Sequence, residues 1–139
     1  MTNHLRVATW NVNSVRKRLD GLRELVAALK PDILCLQELK ANDDALPWDA
    51  LKSLGLPHAA WRAMKGYNGV MILSRWPTAE GETPRFGGRD DARVVDAIVD
   101  VPGYDGGLAV DSVYVPAGGD VPDAAANPKF DHKLRFLAD

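Results

Sequence analysis

The stretch "DILCLQE" at positions 32–38 decides the fold, because a run of apolar residues ends there on a charged side chain. A run this continuous is typical of a strand that is covered on both faces. Polar groups at the ends of such strands are held by a rigid frame, which is where sheet proteins gather ligands. A hard cation such as Mg²⁺ is often held by only one or two carboxylates. Glu38 is therefore either a metal ligand or a solvent-exposed residue at a strand end.

A second strand precedes this one. "LRVATW" at 5–10 mixes β-branched and aromatic residues and breaks at "NVNS", which predicts a buried strand running into a turn. Asn11 ends this strand as Glu38 ends the other. If the two strands are neighbours, the Asn11 amide could orient Glu38 or a metal-bound water. The alternative is that Asn11 is simply a turn residue.

Helical spacing follows the first strand and returns at the end of the chain. The first predicted helix has one apolar face, which consists of Val15, Leu19, Leu22, Val26 and Leu29. Asn13 or Ser14 is the candidate N-cap of this helix, and Pro31 lies just beyond its end. A short second helix is predicted from Pro47. A third is predicted from about Lys129 to the end of the chain, where no capping glycine follows.

The second half of the chain favours strands. "GVMILS" at 69–74, "RVVDAIVDV" at 93–101 and "LAVDSVYV" at 108–115 are separated by segments rich in Gly, Pro and Asp. The connections at 87–93 and 116–128 are long enough to be functional loops.

Composition indicates one ordinary globular domain. The chain has 139 residues, of which 46% are hydrophobic and 26% charged, with a net charge of −2. This charge gives no global signal for nucleic acid, although a local basic face is compatible with it. The single cysteine, Cys35, lies in the apolar run and indicates a reducing compartment. Because no segment has the composition of a signal peptide or a membrane helix, we expect a cytoplasmic protein without membrane contact.

Several segments together carry a resemblance to a known family. "TWNVNSVRKR" and "PDILCLQELK" are followed in order by "KGYNGVMILS", "ARVVDAIV", "DSVYVPAGG" and "NPKFDHKLRFL". This ordered set resembles the exonuclease III family of DNA repair nucleases, within the endonuclease/exonuclease/phosphatase superfamily. It spans nearly the whole chain.

The resemblance implies an α+β fold: a four-layered sandwich in which two packed, mainly antiparallel sheets are flanked by helices. Residues 1–139 would be the N-terminal part of one such domain, apparently truncated, and would supply the N-terminal sheet and its helices. The inner apolar face of that sheet would then be uncovered, so we expect the fragment to be unstable or associated with a partner.

The resemblance also implies roles for three residues near the strand ends. Glu38 matches the metal-binding glutamate, and Asn11 matches the asparagine that helps to hold the metal and the phosphate. Tyr114 matches the active-site tyrosine that contacts the scissile phosphate. The implied cofactor is Mg²⁺, with Mn²⁺ as the alternative. Judged alone, Tyr114 is equally well explained as a half-buried aromatic in a strand.

Four basic residues are candidates for contacts with DNA phosphate. Arg93 and Lys129 match positions that contact phosphate or lie beside the catalytic centre, so Lys129 joins Tyr114 and Asn11 as a catalytic candidate. Lys40 and Lys65 are candidate contacts to the DNA backbone. Solvated surface charge is the alternative for each of them.

The implied activity of the complete form is metal-dependent phosphodiester hydrolysis. It would act as a 3′–5′ exodeoxyribonuclease and an abasic-site endonuclease on double-stranded DNA, especially abasic or 3′-end substrates. The "GDxN" and "SDH" segments of the family's second half do not occur here, so we expect little or no activity from this chain alone and expect the missing half to complete the site. The alternatives are a non-catalytic phosphate-binding or DNA-binding module, or a truncated product without function. The preferred substrate, the choice of ion and the oligomeric state stay open.

Overall fold

The computed structural model describes residues 4–82 and 86–139, which form seven strands and three helices. In chain order the elements are β1 (Val7–Asn11), α1 (Leu19–Leu29), β2 (Ile33–Gln37), α2 (Trp48–Lys52), β3 (His58–Arg62), β4 (Val70–Ser74), β5 (Thr78–Glu80), β6 (Val94–Val99), β7 (Leu108–Val113) and α3 (Pro128–Ala138). Short 3₁₀ turns lie at Val15–Lys17, Asp43–Ala45 and Phe86–Gly88.

The first sheet has the strand order β1-β2-β4-β3. β1 runs parallel to β2, with Asn11 opposite Gln37, so the two strands end at the same edge of the sheet. Every residue of β2 is buried, as its continuous apolar run predicts. The prediction that β1 is buried is wrong, because its residues alternate between exposed and half-buried: Ala8 and Trp10 pack against the core on the helix side, while the residues between them face outward.

The second sheet is antiparallel, with the order β5-β6-β7. The strands predicted at 69–74, 93–101 and 108–115 are confirmed as β4, β6 and β7. β3 and β5 were not predicted from the sequence. β3 reads "HAAWR", which has no clear alternation, and β5 has only three residues.

The two sheets pack face to face and bury each other's inner surface. Their shared core contains Ile33, Cys35, Ile72, Val95 and Val99, all at most 5% exposed. Two packed sheets flanked by helices are therefore confirmed. The expectation that the chain supplies a single sheet with an uncovered inner face is wrong, because the second-half strands form the opposing sheet. Within this core, burial chiefly, with the nearby charge of Asp111, raises the pKa of the Cys35 thiol to about 11.

Helices α1 and α2 cover the other face of the first sheet. Leu22 and Leu51 point from them into a core that includes Leu34, Leu36 and Met71 of β2 and β4. The described residues thus form three layers: helices, first sheet and second sheet.

The start of α1 differs from the prediction. The apolar spacing from Val15 predicted one continuous helix capped by Asn13 or Ser14, but α1 begins at Leu19 with Arg18 as its N-cap. Asn13 and Ser14 have positive φ angles of 43° and 87°, and the Ser14 amide donates to the carbonyl of Glu38 at 2.8 Å. Their backbone is committed to the loop beside Glu38, which leaves neither residue free to cap α1.

Helix α3 packs against the segment 86–88. Its N-cap is Asn127, whose side chain accepts from the Lys129 amide at 3.0 Å, and the rings of Phe86 and Phe136 meet edge to face with centroids 5.2 Å apart. None of the helices in the described residues has the length and apolar character needed to cross a membrane.

Candidate active site

Three polar side chains meet where strands from both sheets end. Asn11 is the last residue of β1, Glu38 follows β2, and Tyr114 follows β7. The Asn11 amide nitrogen Nδ2 donates to Glu38 Oε1 at 3.0 Å. The Tyr114 side chain lies close enough to the Glu38 carboxylate that each shifts the pKa of the other. The three residues predicted from separate stretches of sequence therefore share one pocket.

The carboxyl group of Glu38 is held in its charged form. The hydrogen bond from Asn11 is the main cause that lowers its pKa, and the bonds from Tyr114 and Lys40 act in the same direction. Partial burial opposes this shift but does not reverse it. Glu38 is consequently an ionised, partly enclosed oxygen donor at neutral pH.

Lys40 lies inside this site. Its ammonium Nζ is 3.4 Å from Glu38 Oε2 and also hydrogen-bonds to Asn13 Oδ1. The residue predicted as a contact to the DNA backbone thus forms an ion pair with Glu38. A cation bound by Glu38 would compete with Lys40 for the same carboxylate oxygen.

Arg93 completes the site from the start of β6. Its guanidinium carbon lies 4.8 Å from the centre of the Tyr114 ring, and Nη1 donates to the Tyr114 carbonyl at 3.4 Å. Burial is the main cause that raises the pKa of the Tyr114 hydroxyl, the bond to Glu38 adds to it, and Arg93 partly offsets it. Tyr114 therefore keeps its proton and can act as a hydrogen-bond donor.

Backbone hydrogen bonds join the loops that carry these side chains. The Leu39 amide donates to Gly69 at 3.1 Å, the Lys40 amide to Asn68 at 3.0 Å, and the Gly69 amide to Ala92 at 3.0 Å. The loop after β2 is thereby tied to the loop before β4, and that loop is tied to the one before β6.

Comparison with known proteins identifies the family of this fold. Residues 8–139 match the endonuclease/exonuclease/phosphatase family. The chain belongs to this family. The match includes all three residues that meet at the strand ends.

Individual members of the endonuclease/exonuclease/phosphatase family resemble this chain over almost its whole length. An exodeoxyribonuclease III of Haemophilus influenzae is 30% identical over 97% of this chain and 49% of its own length. A 3′ phosphatase from Neisseria, solved with a product DNA hairpin, shares 37% identity over 97% of this chain and 49% of its own, with a TM-score of 0.79. For an AP endonuclease from Archaeoglobus fulgidus the values are 32% identity, 97% and 49% coverage, and a TM-score of 0.77. The chain thus spans about half the length of these relatives.

The structure does not bring two of the predicted site residues, Lys65 and Lys129, to the pocket. Lys65 is exposed in the loop between β3 and β4, and Lys129 is exposed in the first turn of α3. Neither side chain makes a hydrogen bond or an ion pair within residues 4–82 and 86–139. Their predicted roles in phosphate binding and catalysis stay predictions.

The donor set suits a hard cation. Glu38 offers charged carboxylate oxygen, and in the described part of the chain no group of three or more His, Cys, Asp or Glu side chains converges on a point. One carboxylate is enough for Mg²⁺, which commonly keeps several waters. The Asn11 oxygen Oδ1 accepts from the Asn13 amide at 3.2 Å while its nitrogen bonds Glu38, so Asn11 orients the carboxylate, and its role as a metal ligand stays a prediction.

Sequence reasoning missed a polar link directly beneath the site. Gln37 Nε2 donates to Thr9 Oγ1 and to Ser112 Oγ, each at 3.0 Å, and Ser112 Oγ donates to the Leu36 carbonyl at 3.1 Å. The available signal was a glutamine inside an otherwise apolar buried strand. Such a side chain needs partners, and here they come from the other sheet and from β1.

Proposed function

We propose that this chain carries the metal-binding and phosphate-binding part of a DNA repair nuclease. In its complete form the protein would hydrolyse phosphodiester bonds as a 3′–5′ exodeoxyribonuclease and an abasic-site endonuclease. One observation carries the proposal: Glu38, Asn11 and Tyr114 converge at strand ends contributed by both sheets. The alternative reading of these residues as unrelated surface and turn positions does not explain their hydrogen bonds.

The substrate class is inferred from the relatives. One is named as an exodeoxyribonuclease III, one as an AP endonuclease, and one was solved with a DNA hairpin. These are properties of those proteins. They support double-stranded DNA with an abasic site or a 3′ end as the substrate here.

Each residue has a role that its environment supports. Glu38 would hold Mg²⁺, with Mn²⁺ as the alternative, and Asn11 keeps its carboxylate oriented. When bound, the ion would neutralise charge on the phosphate oxygens and increase the acidity of a bound water. Tyr114 donates a hydrogen bond, while Arg93 presents a permanent positive charge beside it. Phosphate contacts of this kind position DNA without reading its sequence.

Residues 1–139 by themselves are expected to hydrolyse DNA poorly. They contain no Gly-Asp-x-Asn segment to supply the family's proposed general acid or base. General acid and base catalysis typically contributes roughly 10² to 10⁴ in rate. Metal binding and phosphate binding, in contrast, need only the residues already present.

Paramagnetic Mn²⁺ tests the metal site. In the nuclear magnetic resonance spectrum, sub-stoichiometric Mn²⁺ should broaden the signals of Asn11, Tyr114 and the 38–40 loop first. Glu38→Gln should abolish this selective broadening, because the amide removes the charge but keeps the shape. Glu24→Gln, at an exposed position on α1, is the matched control and should keep it.

Broadening centred elsewhere, or unchanged by Glu38→Gln, would overturn the metal assignment. A second measurement adds abasic-site duplex and Mg²⁺ to the same protein samples. Salt-dependent binding without cleavage supports the proposed division of roles. A Mg²⁺-dependent nick that disappears in Glu38→Gln would keep the metal site and refute the expected inactivity of the chain alone.

A further inference from the structure

The carboxylate of Asp91 holds the guanidinium group that faces the candidate active site. Arg93 Nε donates to Asp91 Oδ2 at 2.8 Å, and both side chains are at most 20% exposed. The same guanidinium stacks on Tyr114 and donates through Nη1 to the Tyr114 carbonyl. The guanidinium also interacts with the Tyr114 side chain and lowers the pKa of its hydroxyl. Bonds from Nε and Nη1 thus fix the group beside Tyr114.

Asp91 is itself held by two other parts of the structure. The amide nitrogen Nδ2 of the buried Asn68 donates to the Asp91 carbonyl at 2.7 Å. On the other side, the imidazole Nε2 of His132 in α3 lies 3.7 Å from Asp91 Oδ2, which is longer than a hydrogen bond. The carboxylate is therefore enclosed between Arg93 and α3 and has little freedom to follow Arg93 if that side chain moves.

We propose that Asp91 is a positioning residue of the phosphate-binding site: it keeps the Arg93 guanidinium over the Tyr114 ring, where its positive charge meets a substrate phosphate. This inference rests on the proposed function for the identity of the ligand. The contacts among Asp91, Arg93 and Tyr114 are observed independently of that function. Asp91 acts through Arg93, because its own carboxylate is already bonded and carries the wrong charge to meet a phosphate.

Asp91 could instead act only as a negative charge near the site, and the two roles predict opposite changes in phosphate binding. If Asp91 were only a charge, replacing it with asparagine would remove a repulsion between the carboxylate and the phosphate, and Kd would fall. If Asp91 positions Arg93, the same change releases the guanidinium, and Kd would rise. The direction of the change in Kd therefore distinguishes the two.

The first experiment follows the Nε–H signals of the arginine side chains by nuclear magnetic resonance, without metal or DNA. Because Nε of Arg93 is bonded to a carboxylate, its hydrogen should exchange slowly with water. Arg93→Lys, which preserves the positive charge but loses the planar fork, identifies the Arg93 signal. We expect Asp91→Asn to speed the exchange of this hydrogen. Asp105→Asn, in an exposed turn, is the matched control and should leave it unchanged.

Binding of a short abasic-site duplex at fixed salt gives the functional readout. Asp91→Asn should raise Kd about tenfold, which is the typical effect of losing one charge-assisted hydrogen bond. Arg93→Ala should have a similar effect, and the double variant should lose little more than either single variant, because both changes remove the same contact.

Unchanged exchange of the Arg93 Nε–H in Asp91→Asn, a fall in Kd, or additive losses in the double variant would overturn the positioning role. If Asp91→Asn fails to fold, Asp91→Ser, which also lacks the carboxylate, takes its place with the same expected results. The absence of DNA binding by the unsubstituted chain would count against the proposed function, while the exchange measurement would still judge the Asp91 inference.

Discussion

Gln37 places a polar side chain between the two sheets, next to the residue that carries the charge of the site. A buried amide group in this position costs free energy unless its hydrogens are bonded. Thr9 supplies one acceptor from β1 and Ser112 supplies the other from β7. Because Glu38 follows Gln37 directly and Tyr114 lies two residues after Ser112, this link joins the strands that present the two site residues. Its loss should therefore affect both stability and the placement of Tyr114.

Ser112→Ala tests this link. The change removes a buried acceptor of Gln37 and the donor to the Leu36 carbonyl, so we expect the free energy of unfolding in urea to fall by about 1–3 kcal/mol. Ser53→Ala is the matched control, since the Ser53 hydroxyl bonds the Ala50 carbonyl on the surface. We expect a change within about 0.5 kcal/mol there. Equal losses of unfolding free energy in the two variants would mean that the hydrogen bonds between the sheets contribute no more to stability than a surface hydrogen bond.

At the scale of elements, the site depends on loops whose backbone adopts left-handed conformations. Glu38, Lys40, Asn68 and Ala92 have φ angles of 53–55°, which cost free energy in residues other than glycine. The hydrogen bonds among these loops hold them in place. At Gly69 the loops approach so closely that an added Cβ would lie 2.9 Å from the Cβ of Leu39.

Gly69→Ala and Gly66→Ala separate the effect of this close approach from that of backbone conformation. Both glycines have left-handed φ angles, of 91° and 83°, but an added Cβ at Gly66 would meet nothing within 4 Å. Each variant should lose about 1–2 kcal/mol for the conformation. Gly69→Ala should lose about 1–3 kcal/mol more, because Leu39 must move. Gly69→Ala should also weaken the Mn²⁺ broadening around Glu38, whereas Gly66→Ala should keep it. If the two variants lost the same stability and broadening, the close approach of Gly69 to Leu39 would not matter.

For the whole molecule, local sequence patterns predicted individual strands and helices better than they predicted which distant segments meet. The apolar run before Glu38 predicted β2 and the polar residue at its end, because both depend on neighbours in the sequence. The break at Arg18 could not be predicted, since it follows from a hydrogen bond between Ser14 and the distant Glu38. The same holds for the second sheet covering the first and for Asp91 beneath Arg93. Such features depend on which loops meet in the folded chain, and hydrophobic spacing does not contain that information.

His132 makes the attachment of α3 sensitive to acid. Its ring lies against Gly87, where an added Cβ would be 2.8 Å from Cε1, and it faces Arg89, Asp91 and Arg93. Burial is the main cause that lowers the pKa of His132, the two arginines act in the same direction, and Asp91 opposes them. The unfolded chain, with a histidine pKa near its ordinary value of about 6.5, therefore binds a proton that the folded chain resists.

The sign of the pH dependence follows from this difference. The free energy of unfolding should be greatest above pH of about 6.5 and should decrease as the pH falls below that value, until the folded protein is also protonated. The measurement is urea unfolding at pH 7.5 and at pH 5.0. Both pH values lie above the range in which Glu38 changes stability, because its carboxylate begins to lose its contribution only near the ordinary glutamate pKa of about 4.3. His132→Gln should reduce the difference between the two pH values, because the titrating ring is gone. Phe136→Leu is the control: it weakens the same helix contact without removing a titratable group, so it should lower stability equally at both pH values. If His132→Gln kept the full loss of stability between pH 7.5 and pH 5.0, a group other than His132 would be responsible for the acid sensitivity.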